Sequence, residues 1–116
     1  MKSTIPYTGL PGPTTRIAVG DVVDNLEDEF NSLTNANPAI GAVITCETSD
    51  IRFTLGGNIV TPTIPPTQGA AGLGHILYAG QSLILASGRL VRTFQFISLT
   101  NGVAAAIQVT PLFEEL

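Results

Sequence analysis

At 116 residues the chain is long enough for one domain with a core, but too short for a catalytic domain beside a binding domain. Hydrophobic residues make up 44% of it and charged residues only 12%, so we expect exposed apolar surface and self-association. The net charge is −4, and five scattered Lys and Arg cannot supply the clustered cations of a nucleic-acid footprint.

The single cysteine and the first residues bear on the compartment. Cys46 cannot form an intrachain disulfide, which favours a reducing environment. The stretch from Met1 to Pro6 lacks the apolar core of a signal peptide, and no stretch approaches the roughly 18 apolar residues of a membrane span. We therefore expect synthesis in the cytoplasm and no membrane partner.

Residues 1–20 are predicted to form an extended N-terminal arm, ahead of a single domain over 21–116. Prolines and glycines between Lys2 and Val19 exclude a helix, and this stretch offers few core residues of its own. We expect it to contact other subunits, with these candidate contact residues: Ile5, Pro6, Tyr7, Leu10 and Arg16.

A short amphipathic helix is predicted over residues 21–33. Its apolar residues recur at a period of 3.6, and Asp21 is suited to cap its N-terminus. Five of the nine acidic residues lie in this segment, so its outer face is either a solvated face or an acidic docking patch.

From residue 40 to residue 113 the period changes to two, which predicts a β module. Polar and apolar residues alternate in short runs separated by glycine, serine and asparagine, a pattern typical of an antiparallel β-sandwich or small barrel. The predicted strands are Ala42–Glu47, Asp50–Leu55, His75–Tyr78, Ser82–Ala86, Leu90–Leu99 and Val103–Val109.

Two β-hairpins are predicted within this module. Thr48 and Ser49 would join the first two strands, and Asn101-Gly102, a pair favoured in type I′ turns, would fold Leu90–Leu99 back onto Val103–Val109. Phe94 and Phe96 are two residues apart and should share the core face of their strand.

The segment from Gly56 to Gly74 holds the longest predicted loop. Loops of this length in a compact domain usually have a function, which here could be contact with another subunit, mobility in solvent, or a lid over a small ligand. Its candidate contact residues are Ile59, Val60 and Ile64.

No catalytic, cofactor or metal site is predicted. Cys46, His75 and Asp50 could be written as a nucleophilic triad, but nothing in their spacing supports one. We interpret Cys46 as a small buried residue and His75 as a structural hydrogen-bond donor. One His with one Cys cannot form a tetrahedral metal site.

Three arginines in or beside predicted strands are the charges expected to matter most. Arg52, Arg89 and Arg92 could each pair with a carboxylate, within the chain or across an interface, or could simply be solvated. Candidate carboxylates are Glu47, Asp50, Glu114 and Glu115.

Four short motifs between Ala42 and Thr110 carry a resemblance to a known class of proteins. The stretches Asp50–Phe53, Gly74–Leu83, Phe94–Ile97 and Ile107–Thr110 resemble the pattern "IRF, glycine-rich loop, GH-L, G-SL-L, FRFI, L-VTY". That pattern recurs in small structural proteins of tailed bacteriophages. Here Pro111-Leu112-Phe113 replaces its usual end, and the Gly56–Gly74 loop is longer.

The resemblance implies a non-enzymatic virion protein at the capsid surface, one that decorates or cements the shell. Such a protein would bridge neighbouring subunits of the major capsid protein as a homo-oligomer, for which we expect a trimer. Two alternatives stay open: a head-to-tail connector or tail component, and a carbohydrate- or ligand-binding β module, for which Tyr78 with His75 is the only suggestive cluster.

Overall fold

The computed structural model describes residues 10–26, 39–57 and 62–113. Within these residues the chain forms nine strands and one short helix. Their bounds are β1 (Leu10–Pro11), β2 (Thr15–Val19), β3 (Asp24–Asn25), β4 (Gly41–Glu47), β5 (Ile51–Thr54), β6 (His75–Leu77), β7 (Ser82–Leu85), α1 (Gly88–Thr93), β8 (Gln95–Ser98) and β9 (Ala105–Phe113).

The strands form two antiparallel sheets. In sheet A, β9 pairs with β1 and β2 on one side and with β4 on the other, and β4 pairs with β7. In sheet B the order is β3, β8, β5, β6. The prediction of a mainly β, antiparallel fold with one short helix is confirmed, and two separate sheets are consistent with a sandwich.

One apolar core lies between the sheets, and the alternating pattern explains it. Ile44 and Cys46 of β4 are fully buried, and their partners Val109 and Ile107 on β9 face the same side. Phe94 adds the largest apolar group, with its ring 5.3 Å from that of Phe53 and 5.5 Å from that of Phe96. These spacings suit aromatic pairs, and the core position predicted for Phe94 and Phe96 is confirmed.

Four connections between consecutive strands cross from one sheet to the other at the same end of the sandwich. The links β2–β3, β4–β5, β6–β7 and β8–β9 each join one sheet to the other, and we call this the turn end. Helix α1 links β7 to β8 at the opposite end, where β4 and β6 begin and β5 ends. We call that the helix end.

These crossings make both hairpin predictions wrong. Turns do form, with Thr48 at φ 74° and Gly102 at φ 79°. However, β4 pairs with β9 and β7 while β5 pairs with β8 and β6, and β8 and β9 also lie in different sheets. Each turn carries the chain across the core, so that the apolar faces of both strands point at each other. Side chains alternate with a period of two in a hairpin and in a crossing between sheets, so the sequence pattern does not distinguish them.

The predicted strand Leu90–Leu99 is a helix in its first half. Ser87 caps α1, its hydroxyl accepting a hydrogen bond from the Leu90 backbone N–H at 3.2 Å. Val91 faces the core, and the strand begins only at Gln95. The cap gives this segment a helical start that the apolar pattern alone did not indicate.

The N-terminal third also departs from expectation. Asp24 and Asn25 form β3, so the predicted helix over 21–33 does not begin at Asp21; residues 27–38 lie outside the described part. Residues 15–19 pair with β9 along their whole length. Ile17 and Val19 are buried, which makes this stretch part of sheet A and corrects the prediction of an arm for residues 10–20.

The single cysteine gives a simple test of this core. Cys46 is fully buried, and burial raises the pKa of its thiol to about 11, with the nearby Asp50 carboxylate adding to the effect. We expect the thiol to resist a thiol-reactive dye at pH 8 in the folded protein and to react at once in denaturant. Rapid labelling without denaturant would contradict this packing.

Candidate contact surfaces

The second half of the long loop lies as a strap over the outer face of sheet B. We define the strap as residues 62–74, and Arg52 holds it. The Arg52 guanidinium donates to the carbonyl oxygens of Gly69 at 2.9 and 3.0 Å, of Ala70 at 3.1 Å and of Gly74. Arg52 is 5% exposed and shares its face with its cross-strand partner Ile97, which is also buried.

This geometry corrects the role predicted for Arg52. The side chain is an internal clamp rather than a partner contact, and its described hydrogen bonds go to backbone carbonyls rather than to a carboxylate. Five N–H donors in one plane allow guanidinium to bridge several carbonyls in this way. The strap therefore has a fixed position on the sheet.

A second attachment holds the strap at the turn end. One Asp21 carboxylate oxygen accepts hydrogen bonds from the Gln68 side-chain amide at 2.8 Å, the Gly102 backbone N–H at 3.0 Å and the Ser98 hydroxyl at 3.4 Å. The Gly69 N–H also donates to the Leu99 carbonyl oxygen at 2.7 Å. Asp21 thus joins three distant segments, rather than capping a helix as predicted.

These hydrogen bonds make the stability of the fold depend on pH through the charge of the Asp21 carboxylate. The bond from Gln68, then that from Gly102, lowers the Asp21 pKa from its usual 3.8, so its stabilising contribution is present above pH 3.8 and is lost as pH falls through the lower, folded value. We expect Asp21→Asn to unfold at lower urea concentration at pH 7, and the difference from wild type to shrink by pH 3. A difference independent of pH would contradict this role.

A cavity opens at the helix end, where the strap begins and ends. Its volume is about 460 Å³, and its lining includes Leu55, Pro62, Ile64, Leu73 and His75. Ile64 and Leu73 stay 66% and 48% exposed. We call these two side chains, with the cavity mouth between them, the rim.

The rim does not contain the cluster suggested for sugar binding. His75 lines the cavity and packs against Phe53, with ring centroids 5.4 Å apart, but Tyr78 is absent from the described lining. His75 begins β6 and Tyr78 follows its last residue, so the strand separates them. His75 is exposed and donates no hydrogen bond to another described residue, so its predicted structural role is wrong.

Two cations lie on α1, at the same end of the sandwich as the rim. Arg89 and Arg92 are exposed on α1, and within the described residues neither forms an ion pair. The last residue of α1, Thr93, accepts a hydrogen bond from the Gly56 N–H at 3.0 Å, which ties the helix to the cavity wall. The described part of the helix end therefore presents exposed apolar side chains and two arginines.

The turn end carries a second group of exposed apolar side chains. Val22 is 80% exposed, Tyr78 52% and Val103 42%. Carboxylates lie next to them, because Asp21 precedes Val22 and binds the Gly102 N–H, and Asp50 accepts a hydrogen bond from the Ala79 N–H at 2.8 Å. This end therefore presents apolar and acidic groups together.

The outer face of sheet A is the third surface. Its side chains are those that alternate with the core residues, and they bond to one another: Thr45 to Ser82 at 2.9 Å and Thr14 to Thr110 at 2.6 Å. Within the described residues no segment covers this face as the strap covers sheet B. It is a broad, polar surface with Ala18 and Val43 among its outward residues.

An ion pair lies on this face. The Arg16 Nε donates to the Glu47 carboxylate at 2.7 Å, and the Gln108 amide donates to the same oxygen at 3.1 Å. The bond from Arg16 lowers the pKa of Glu47. Arg16 is 56% exposed, so this predicted contact residue remains accessible.

The predicted contact residues differ in their exposure. Leu10, Ile64, Arg16, Arg89 and Arg92 are exposed, whereas Arg52 is buried. Five others lie outside the described residues: Ile5, Pro6, Tyr7, Ile59 and Val60.

Sequence reasoning did not single out Val22 and Val103 as exposed residues. The periodicity places Val22 on the apolar side of a helix and Val103 in a strand, and it gives no other signal for either residue. Only their places in crossings between the sheets explain their exposure.

The described residues contain neither a cluster of three metal-binding side chains nor a helix long and apolar enough to cross a membrane. Comparisons of the chain with protein-family models, curated proteins and solved structures found no match.

Proposed function

We propose that this chain is a structural protein of a tailed bacteriophage that decorates or cements the capsid. It works without catalysis or a cofactor, as a homo-oligomer with three copies expected, and it bridges neighbouring subunits of the major capsid protein. The proposal starts from the four motifs between Ala42 and Thr110 that resemble small phage structural proteins. It places the protein at the capsid surface after synthesis in the host cytoplasm.

The observation that carries the proposal is that the strap covers one broad face, whereas no described segment covers the other. The strap is fixed on sheet B by Arg52 and Asp21, while the outer face of sheet A has no covering layer within the described residues. Polar groups on that face are already ordered by bonds to one another, which lowers the entropic cost of binding a partner. We assign the capsid contact to this face.

Binding to empty capsids that lack the protein tests the assignment. Ala18 and Val43 point outward from sheet A, so we expect Ala18→Lys combined with Val43→Lys to weaken co-sedimentation with capsids at least tenfold. Long lysine side chains at these positions would hold the two surfaces apart.

The control places a single lysine on the opposite face. Ala71 is exposed on the strap, and Ala71→Lys should bind capsids like the wild type. Equal loss of binding in both variants, at unchanged melting temperature, would argue against sheet A as the capsid-binding face. A wild-type protein that never sediments with capsids would remove the proposed function.

A further inference from the structure

The link between β8 and β9 contains the only asparagine of the chain that a glycine follows, Asn101 before Gly102. Such a pair is chemically labile, because glycine has no Cβ to shield its backbone nitrogen from the asparagine side chain. Both residues are exposed, and within the described residues no hydrogen bond holds the Asn101 side chain. The pair is therefore open to water, and the Asn101 amide is free to rotate.

We propose that Asn101 is a deamidation site and that the Asp21 carboxylate restrains the reaction in the folded protein. The Gly102 nitrogen attacks the side-chain carbonyl carbon of Asn101, and the C–N bond of the amide breaks. The proton of the Gly102 N–H leaves with the NH2 group as ammonia, and a five-membered succinimide remains. Water then opens the ring, its OH joining a carbonyl carbon and its other proton the ring nitrogen, which leaves aspartate or isoaspartate at position 101.

The reacting nitrogen is held by Asp21. The Gly102 N–H donates to the Asp21 carboxylate at 3.0 Å. The nitrogen must lose its proton to attack, and a carboxylate at this distance disfavours the negative charge that deprotonation leaves. The Gln68 side-chain amide and the Ser98 hydroxyl donate to the same carboxylate oxygen, which fixes its position. Asp21 therefore restrains the reaction both by orientation and by charge.

The turn itself is a second restraint. The Val103 N–H donates to the Thr100 carbonyl oxygen at 3.1 Å, with Asn101 and Gly102 between them. Of these two central residues only Gly102 has a positive φ, 79°, which is the pattern of a type II turn rather than of the type I′ turn that the pair favours. Closing the succinimide requires rotation of the peptide between Asn101 and Gly102, and that rotation breaks the bond to Asp21.

Modification would loosen the strap at the turn end. Isoaspartate lengthens the backbone of the turn by one methylene group, and either product adds a carboxylate next to the N–H that Asp21 accepts. Repulsion between the two carboxylates would displace Asp21 from the position in which it binds Gln68 of the strap. The reaction is thus a slow covalent change that acts on a distant segment. It goes beyond the proposed function and does not depend on capsid binding.

Peptide mass spectrometry of protein aged in mildly alkaline buffer tests the site. Replacement of NH2 by OH gives a defined gain in mass, which we expect at Asn101 and at least tenfold faster in denaturant than in the folded protein. Asn25, which Leu26 follows, is the control within the described residues and should keep its mass. Asn101→Gln should abolish the gain at this position, because the larger ring that glutamine must close forms far more slowly.

Two variants separate the restraint by Asp21 from overall stability. Asp21→Ala removes the acceptor of the Gly102 N–H, so Asn101 should react at least fivefold faster than in the wild type. Phe113→Ala lowers stability at the helix end but leaves Asp21 in place, so Asn101 should react as in the wild type. Urea unfolding identifies the variants that are folded during ageing. Where Asp21→Ala does not fold, Asp21→Asn keeps an acceptor without the charge and should give a smaller acceleration.

Three results would overturn the inference. The first is an unchanged mass at Asn101 even in denaturant, and the second is an equal rate in folded and denatured wild-type protein. The third is an equal rate in Asp21→Ala and Phe113→Ala at comparable stability, since the reaction would then follow global unfolding rather than release of the Gly102 N–H. Capsid binding has no part in any of these measurements, so their failure leaves the proposed function standing.

Discussion

Replacing Arg52 with methionine should lower the free energy of unfolding by about 3 kcal/mol. Methionine keeps an apolar stem under the strap but removes every donor. The carbonyl oxygens of Gly69, Ala70 and Gly74 would lose a charged donor in a partly buried setting, and hydrogen bonds to charged groups contribute more than neutral ones. Urea denaturation followed by circular dichroism measures the loss.

The location of the effect is as informative as its size. Hydrogen exchange should accelerate first at two strap amides. The Gly69 N–H donates to the Leu99 carbonyl oxygen, and the Leu73 N–H donates to the Thr67 hydroxyl. Arg16→Met removes an arginine whose ion pair is exposed, so it should change stability far less. Equal effects of both substitutions, with no change in strap exchange, would mean that Arg52 does not hold the strap.

Truncating Phe94 to alanine should cost about 4 kcal/mol of unfolding free energy. Phe94 is fully buried and contacts the rings of Phe53 and Phe96, both on sheet B. The surrounding strands are paired on both sides and cannot collapse into the space, so the lost burial and the cavity add together. Thermal and urea unfolding provide the measurement.

Phe113 is the matched control, because it is the same residue type at the end of β9 and only half-buried. Phe113→Ala should cost less than half as much. Where Phe94→Ala does not fold, Phe94→Leu keeps the test available with a smaller loss. A Phe94→Ala protein as stable as Phe113→Ala would contradict this core.

The sequence predicts those secondary-structure elements and core positions that residues close together in the chain determine. Alternation through Ile44 and Cys46 predicted β4 and its buried side, and the core position of Phe94 and Phe96 followed from their spacing. It could not tell a hairpin from a crossing, because a turn such as Asn101-Gly102 reverses the chain in both cases. The choice depends on which sheet the next strand completes, and that is a long-range property.

The contacts that shape the candidate surfaces are longer in range still. Asp21 bonds to Ser98 and Gly102, which follow it by 77 and 81 residues. Alternation correctly placed Arg52 away from the core, yet nothing near it in sequence indicated that a strap would bury it. The cap at Ser87 is different, since a serine three residues before the apolar pair Leu90-Val91 is a signal of a helix start.

The most direct test of the central claim uses the unmodified protein and empty phage capsids that lack it. Increasing amounts should bind until a fixed ratio to the capsid subunits is reached, and the saturated shells should dissociate at a higher temperature than bare ones. Specific binding to the native shell raises its stability by mass action. Shells that bind no protein at any ratio, and dissociate at an unchanged temperature, would contradict the account.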